Sequence, residues 1–252
     1  VNNSTGEAAS GKIELSAESF NTSENHQVDA ITRSFQTDTS VTQVEIAYPM
    51  GDDVQLWDEF NPALYKLKVV LTDEQENEDT QEVQFGMREF TTEGTRFAVN
   101  GTPVFLRGTL DYAAFPLTGY PPTEVEPWED IFRTVKEHGL NHVRFHSWCP
   151  PEAAFIAADK VGIYLQPEAA SWPNNRSSIG DGKPIDEYLF KETEDIIDAY
   201  GNHPSFVMMA SGNEPFGSNQ VEYLNNYVTH FKEQDGRRLY TGASIAMSWP
   251  VV

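Results

Sequence analysis

The chain has 252 residues, of which 39% are hydrophobic and 12% aromatic, enough for packed cores and too many for wholesale disorder. Its 17 basic and 39 acidic side chains leave a formal net charge of −22, which argues against nucleic acid and anionic membrane surfaces as partners. A single cysteine, Cys149, excludes an internal disulfide framework, and no apolar run reaches the roughly 18 residues of a membrane span.

Residues 1–95 read as a β domain. Short alternating segments recur at Lys12–Phe20 (KIELSAESF), Val41–Pro49 (VTQVEIAYP), Leu64–Asp73 (LYKLKVVLTD) and Thr80–Phe90 (TQEVQFGMREF). In the third, Leu64, Lys66 and Lys68 oppose Tyr65, Leu67 and Val69, the period of two expected of a half-buried antiparallel strand. The acidic run Asp73–Asp79 lacks the glycine and ligand spacing of a calcium loop and reads as a solvated hairpin tip. Together these segments predict a small β-sandwich.

Residues 96–252 follow another pattern. Thr102–Leu110 is a short apolar run, and then Trp128, Ile131, Phe132 and Val135 mark one face of a helix stopped by Gly139. Strand, helix and strand follow at Asn141–Ser147, Pro150–Gly162 and Ile163–Ala169. Pro184–Gly201 is a third helix, Ser205–Glu214 a fourth strand, Val221–Gln234 a fourth helix and Leu239–Ala246 a fifth strand. Strict alternation with apolar strands predicts a parallel sheet covered by helices. With no glycine-rich phosphate loop after the first strand, a (β/α)8 TIM barrel is favoured over a nucleotide-binding sheet.

A whole barrel needs roughly 250 residues, and about 150 remain after Thr102. The expectation is therefore the N-terminal portion of a barrel, cut from a longer protein; the chain also opens on Val1 without an initiator Met.

Reactive groups of such a barrel sit where strands end and the following loops begin. Strand one ends near Arg107 and Asp111, and strand two offers Arg144, His146, Ser147 and Trp148. Strands three, four and five offer Glu168 and Trp172, Asn213 and Glu214, and Ser248 and Trp249. Carboxylates, a guanidinium, an imidazole and indoles on one rim suit a carbohydrate, whose rings stack on aromatic faces while its hydroxyls bond charged groups. Two readings stay open for Arg144 and Glu168, an ion pair of the barrel mouth or substrate contacts. Trp148 and Trp172 are equally compatible with ordinary packing. No residue pattern calls for a cofactor or a metal.

Four segments resemble glycoside hydrolase family 2, the β-galactosidase, β-glucuronidase and β-mannosidase group. They are Leu56–Leu71 (LWDEFNPALYKLKVVL), Phe85–Gly108 at the domain junction, Gly139–Glu168, and Gly201–Glu214 (GNHPSFVMMASGNE). The resemblance implies an immunoglobulin-like domain before the barrel and a retaining exo-glycosidase with two carboxylates. Carried over by position, Glu214 is its general acid/base and Asn213 the group that bonds the sugar's 2-hydroxyl. As proton donor Glu214 must hold a proton at working pH, which burial or a neighbouring carboxylate would favour. The nucleophile belongs on strand seven in that family, outside these residues, so the chain alone is expected to be inactive. Other candidate substrate contacts are Asp111, Arg144, His146, Trp148, Glu168 and Trp172.

The family commonly has a Trp beneath the Asn-Glu pair, where this chain has Met209-Ala210, and Arg-x-x-His after strand two, where this chain has Arg144-Phe145-His146. Glu168 falls where some β-galactosidases bind magnesium, but the metal does not carry over without its other ligands. The alternative is a carbohydrate-binding or scaffolding protein on a degenerate barrel. The class suggests a periplasmic or secreted location.

Overall fold

The computed structural model describes residues 1–38, 40–173 and 177–243. They form two compact units, one of residues Val1–Leu56 and Ala63–Met87 and one of residues Trp57–Pro62 with everything from Arg88 onward. The division falls at Met87/Arg88, ahead of the boundary drawn at 95/96 from the sequence.

The first unit is a four-stranded antiparallel sheet in the order β2-β1-β3-β4, built from β1 (Ala9–Phe20), β2 (Gln27–Thr37), β3 (Leu64–Asp73) and β4 (Glu78–Phe85). Ile13, Leu15 and Ala17 point to one face, where they join Phe35 and Val28 in two apolar clusters. The opposite face pairs unlike charges across the strands, Glu18 with Lys66 and Lys68 with Glu82, as a solvated face should.

Two expectations are corrected here. Val41–Pro49 forms no strand; it runs extended with Val44, Ile46 and Tyr48 packed on the apolar face. The second strand is instead β2, whose register shifts at a bulge where Leu15 faces Ile31 but Ala17 faces Val28. The acidic tip is a hairpin turn: Asp73 Oδ1 accepts the N–H groups of Gln75 and Asn77, both at 2.8 Å.

The second unit opens with an antiparallel meander of β5 (Phe90–Glu93), β6 (Arg96–Val99) and β7 (Thr102–Val104). The apolar run expected as the first barrel strand is thus divided. Thr102–Val104 closes the meander, and the first parallel strand is β8 (Gly108–Asp111). Asn141 makes the break, taking the Arg107 N–H on Oδ1 at 2.7 Å and donating Nδ2 to Phe105 O at 3.2 Å. The run Thr80–Phe90 is divided likewise, between β4 and β5.

Beyond β8 the order is α1 (Val125–Glu137), β9 (His142–Phe145), α2 (Glu152–Val161), β10 (Tyr164–Gln166), α3 (Pro184–Tyr200), β11 (Met208–Ala210), α4 (Gln220–Gln234) and β12 (Leu239–Thr241). β8, β9 and β10 are parallel neighbours, as are β11 and β12. Two parallel bridges, Leu165 to Phe206 and Glu168 to Ala210, join β10 to β11. Five strands thus lie side by side in chain order, an arc of a barrel.

Alternation along each strand sorts the side chains. Val143, Phe145, Leu165 and Met209 face the helices and share one core with Trp128 and Phe132 of α1. Both aromatics of α1 are fully buried, so truncating either to Ala costs about 3–5 kcal/mol. On α4 the buried set is Tyr223, Leu224, Tyr227, Val228 and Phe231, while Val221 is exposed. The residues between those on the strands, His142, Arg144, Tyr164 and Gln166, share the other face.

Two anchors at the strands' N-terminal side went unread in the sequence. Trp57 donates its indole N–H to Asp159 O at 2.8 Å, and its ring meets Tyr164 edge-on at 5.7 Å. Arg88 donates to Pro204 O at 2.9 Å and Phe206 O at 2.8 Å, and also to Arg237 O, which ties together the approaches to β11 and β12. Burial, with Arg238 alongside, pulls the Arg88 guanidinium down to about 10.

Candidate active site

The polar centre lies at the C-terminal ends of β9, β10 and β11. Arg144 leaves β9 on the face away from the helices and donates Nε–H to Glu168 Oε1 at 2.6 Å. Glu168 is fully buried, and its Oε2 accepts the Ser147 backbone N–H at 2.7 Å. A carboxylate taken out of water needs such partners on both oxygens. Of the two readings open from the sequence, the ion pair is present.

The other arm of Arg144 reaches Asn213, donating NH2 to Oδ1 at 2.8 Å. A guanidinium only donates, so this bond fixes the Asn213 amide with its oxygen toward Arg144. The NH2 group of Asn213 is then the one available to a ligand.

The backbone beneath Asn213 is held from the neighbouring loop, since its N–H donates to Ser171 O at 2.8 Å. Gly212 sits at φ +141° against that loop, and a Cβ there would lie 2.3 Å from Ser171 O. Only glycine fits both the conformation and the approach. Glu214 follows at φ +43°, a left-handed conformation that a non-glycine residue keeps only where its surroundings enforce it.

Glu214 is exposed, so the burial expected of it is not found. Its Oε2 accepts the Trp172 indole N–H at 2.7 Å, and the Trp172 ring meets His146 at 4.5 Å with the planes 74° apart. His146 Nδ1 lies 3.3 Å from Ser147 Oγ. Arg144, Glu168 and Asn213 therefore form one connected set, and His146, Trp172 and Glu214 a second, joined to the first through Asn213-Glu214 and His146-Ser147.

Asp111 and Trp148 point elsewhere. Asp111 pairs in register with Phe145, on the side that faces the helices. Its Oδ1 accepts the Ala113 N–H at 2.7 Å, and burial pushes its carboxyl above the usual range. Trp148 donates its indole N–H to Asp111 O at 3.1 Å and packs edge-on against Phe145 at 5.4 Å. With Cys149, Glu192 and Tyr200 it lines a cavity of about 570 Å³. Both were expected at the substrate rim; strand alternation turns Asp111 to the helix side, and Trp148 reaches the same layer from beyond Ser147, whose φ of +59° ends the alternation.

Arg107, expected near the rim, precedes β8 at its opposite end, where it pairs with Glu59 at 3.6 Å and donates to Gly139 O. Ser248 and Trp249 lie outside the described residues. Two contributors were not anticipated, the Ser147 amide and the Ser171 carbonyl. Both are backbone groups, which leave no mark in residue type.

The family model "Glycosyl hydrolases family 2" matches residues 1–88, and "Glycosyl hydrolases family 2, TIM barrel domain" matches residues 90–248. The chain belongs to glycosyl hydrolase family 2. Within this family it is 27% identical over 218 residues to the β-galactosidase large subunit of Latilactobacillus sakei, covering 80% of this chain and 33% of that protein. It is 25% identical over 214 residues to the β-glucuronidase of Streptococcus agalactiae, covering 79% and 35%.

Among solved structures, the Bacteroides uniformis β-glucuronidase superposes with a TM-score of 0.75 at 20% identity, covering 95% of this chain and 30% of that one. A family 2 member from Bacteroides cellulosilyticus gives 0.74 at 22% identity, covering 96% and 32%. These likenesses establish the fold, an immunoglobulin-like domain and part of a TIM barrel. The chain spans about a third of the length of the two curated relatives. Among the described residues no helix is long and apolar enough to cross a membrane.

Proposed function

We propose that the full-length protein is a retaining β-glycosidase that removes terminal β-linked sugars, with Glu214 as its general acid/base. One observation carries the reading: the Asn213-Glu214 pair follows the fourth strand of the barrel arc, its backbone fixed and its amide oriented. The relatives named β-galactosidase and β-glucuronidase support the substrate class without selecting between sugars.

In this reading Glu214 gives its proton to the leaving oxygen, and the C–O bond breaks as a second carboxylate attacks the anomeric carbon from the opposite face. Retaining enzymes hold the two carboxyl groups about 5–5.5 Å apart. The nucleophile lies outside the residues of this chain. Glu214, now ionised, then takes a proton from water as that water releases the sugar. Asn213 donates its NH2 to a sugar hydroxyl beside the reacting carbon, and Arg144 keeps that amide from turning.

Glu214→Gln in the full-length protein tests the assignment. On glycosides with poor leaving groups the rate should fall by about 10²–10⁴-fold, the usual contribution of a positioned acid. On 4-nitrophenyl glycosides, which need little protonation, the first step should suffer less, and added azide should restore turnover. An undiminished rate on the poor leaving groups would sink the proposal.

A further inference from the structure

Trp172 is a residue 55% exposed whose indole is nonetheless fixed twice, by the N–H donated to Glu214 at 2.7 Å and by the His146 ring at 4.5 Å. Exposed large side chains ordinarily keep their rotamer freedom, and immobilising one costs free energy that a bound ring would otherwise have to supply. The loop that carries it is tied to the loop of Glu214 by the Asn213 N–H on Ser171 O at 2.8 Å and by the Ile179 N–H on Phe216 O at 2.9 Å. Trp172 and Glu214 are therefore held as one piece.

The direction of the indole matters. Its N–H lies in the ring plane, so the Glu214 carboxylate sits at the ring's edge and the ring faces stand beside that bond. A general acid approaches the oxygen of the departing group. A flat face held beside the acid is therefore placed to meet the departing group.

We propose that Trp172 is the stacking platform of the leaving-group subsite, so that the protein favours substrates whose leaving group presents a ring face, a second pyranose or a planar aryl group. The inference rests on Glu214 being the acid and adds the chemistry of what that acid expels.

The test uses the full-length protein with 4-nitrophenyl β-glycosides to find the accepted sugar. That sugar is then presented on leaving groups matched in acidity, an aryl ring against a halogenated alkyl chain, and a pyranose against an acyclic polyol. Trp172→Ala should lower kcat/KM on the ring-bearing members by roughly tenfold, chiefly through KM, the size expected of a lost aromatic stack. The acyclic partners should change by less than about twofold, and Trp172→Phe, which keeps a ring, should retain most of the preference. A loss confined to the aryl or to the pyranose member would identify which ring is recognised.

Equal losses on ring and acyclic members would overturn the subsite and leave Trp172 as a support for Glu214 alone. No loss on either would overturn it as well. Glu214→Gln is measured in parallel. If that variant is unimpaired on poor leaving groups, the acid assignment itself fails and this placement falls with it. If it is impaired while Trp172→Ala shows no ring preference, only the subsite fails.

Discussion

Arg144→Met should destabilise the second unit through a charge left behind. Glu168 is fully buried and Arg144 only 19% exposed, with Nε and Oε1 2.6 Å apart. Breaking such a pair from one side costs about 3–5 kcal/mol, because the remaining ion keeps its desolvation penalty. Glu168 retains the Ser147 amide at 2.7 Å, which places the expectation near the lower end, at about 3 kcal/mol. For a unit of this size that is a fall of roughly 6–12 °C in Tm.

Among the described residues all four tryptophans, at 57, 128, 148 and 172, belong to the second unit and none to the first, so intrinsic fluorescence during urea or thermal unfolding reads chiefly the second unit. The decisive comparison is the double variant Arg144→Met/Glu168→Gln. A neutral amide in place of the carboxylate still accepts the Ser147 N–H and carries no buried charge. At least half of the lost stability should return, giving a coupling energy of about 1.5 kcal/mol or more. A single variant that loses under about 1 kcal/mol, or a double variant no more stable than the single, would refute the account of Glu168 as a paired buried ion.

Gly212→Ala brings a Cβ to 2.3 Å from Ser171 O at φ +141°. It should cost about 2 kcal/mol or more in thermal unfolding and, by shifting Glu214, reduce turnover in the full-length protein. His142 carries the pH dependence. Burial first, and the Arg144 guanidinium second, lower its imidazole to about 4 from 6.5. The unfolded chain therefore binds a proton that the folded chain refuses between those values. Stability falls as the pH drops from 6.5 toward 4 and levels below, by up to about 3 kcal/mol in all. His142→Gln should flatten that part of the Tm–pH curve, and an unchanged slope would count against the buried neutral imidazole.

The helices were legible because their apolar positions recur every three or four residues and bury large side chains. The face with Trp128, Ile131, Phe132 and Val135 forms α1, and the fully buried Trp128 and Phe132 lie at its centre. Strand identity was less so. Alternation in Val41–Pro49 reports an extended backbone with one side inward, which is what the structure has, but it carries no information on a hydrogen-bonding partner. β2 was missed for the converse reason: its bulge sets Val28 and Ile31 inward three residues apart, which breaks the period of two. The segment Leu56–Leu71 held two signals in one run. Trp57–Pro62 belongs to the barrel unit and Ala63 onward to the sheet.

At the site, the ends of strands could be read from the sequence but the faces could not. Asp111 stands beside Arg144 and His146 in the strand-end inventory, yet one residue of register offset turns its side chain from the mouth to the helices. Trp148 shares their parity but lies beyond Ser147, where the alternation has ended. Parity also explains the departure at strand two. His146 follows Arg144 by two, so alternation directs both to the same side, and Ser147 at φ +59° ends the run there. From that side His146 meets Trp172, and Trp172 meets Glu214. The histidine spacing and the Trp172 contact therefore form one arrangement around the carboxylate, joined through contacts that neither motif records by itself. In the proposed reading this departure at strand two lies on the leaving-group side of Glu214, where a substitution of His146 should act through Trp172.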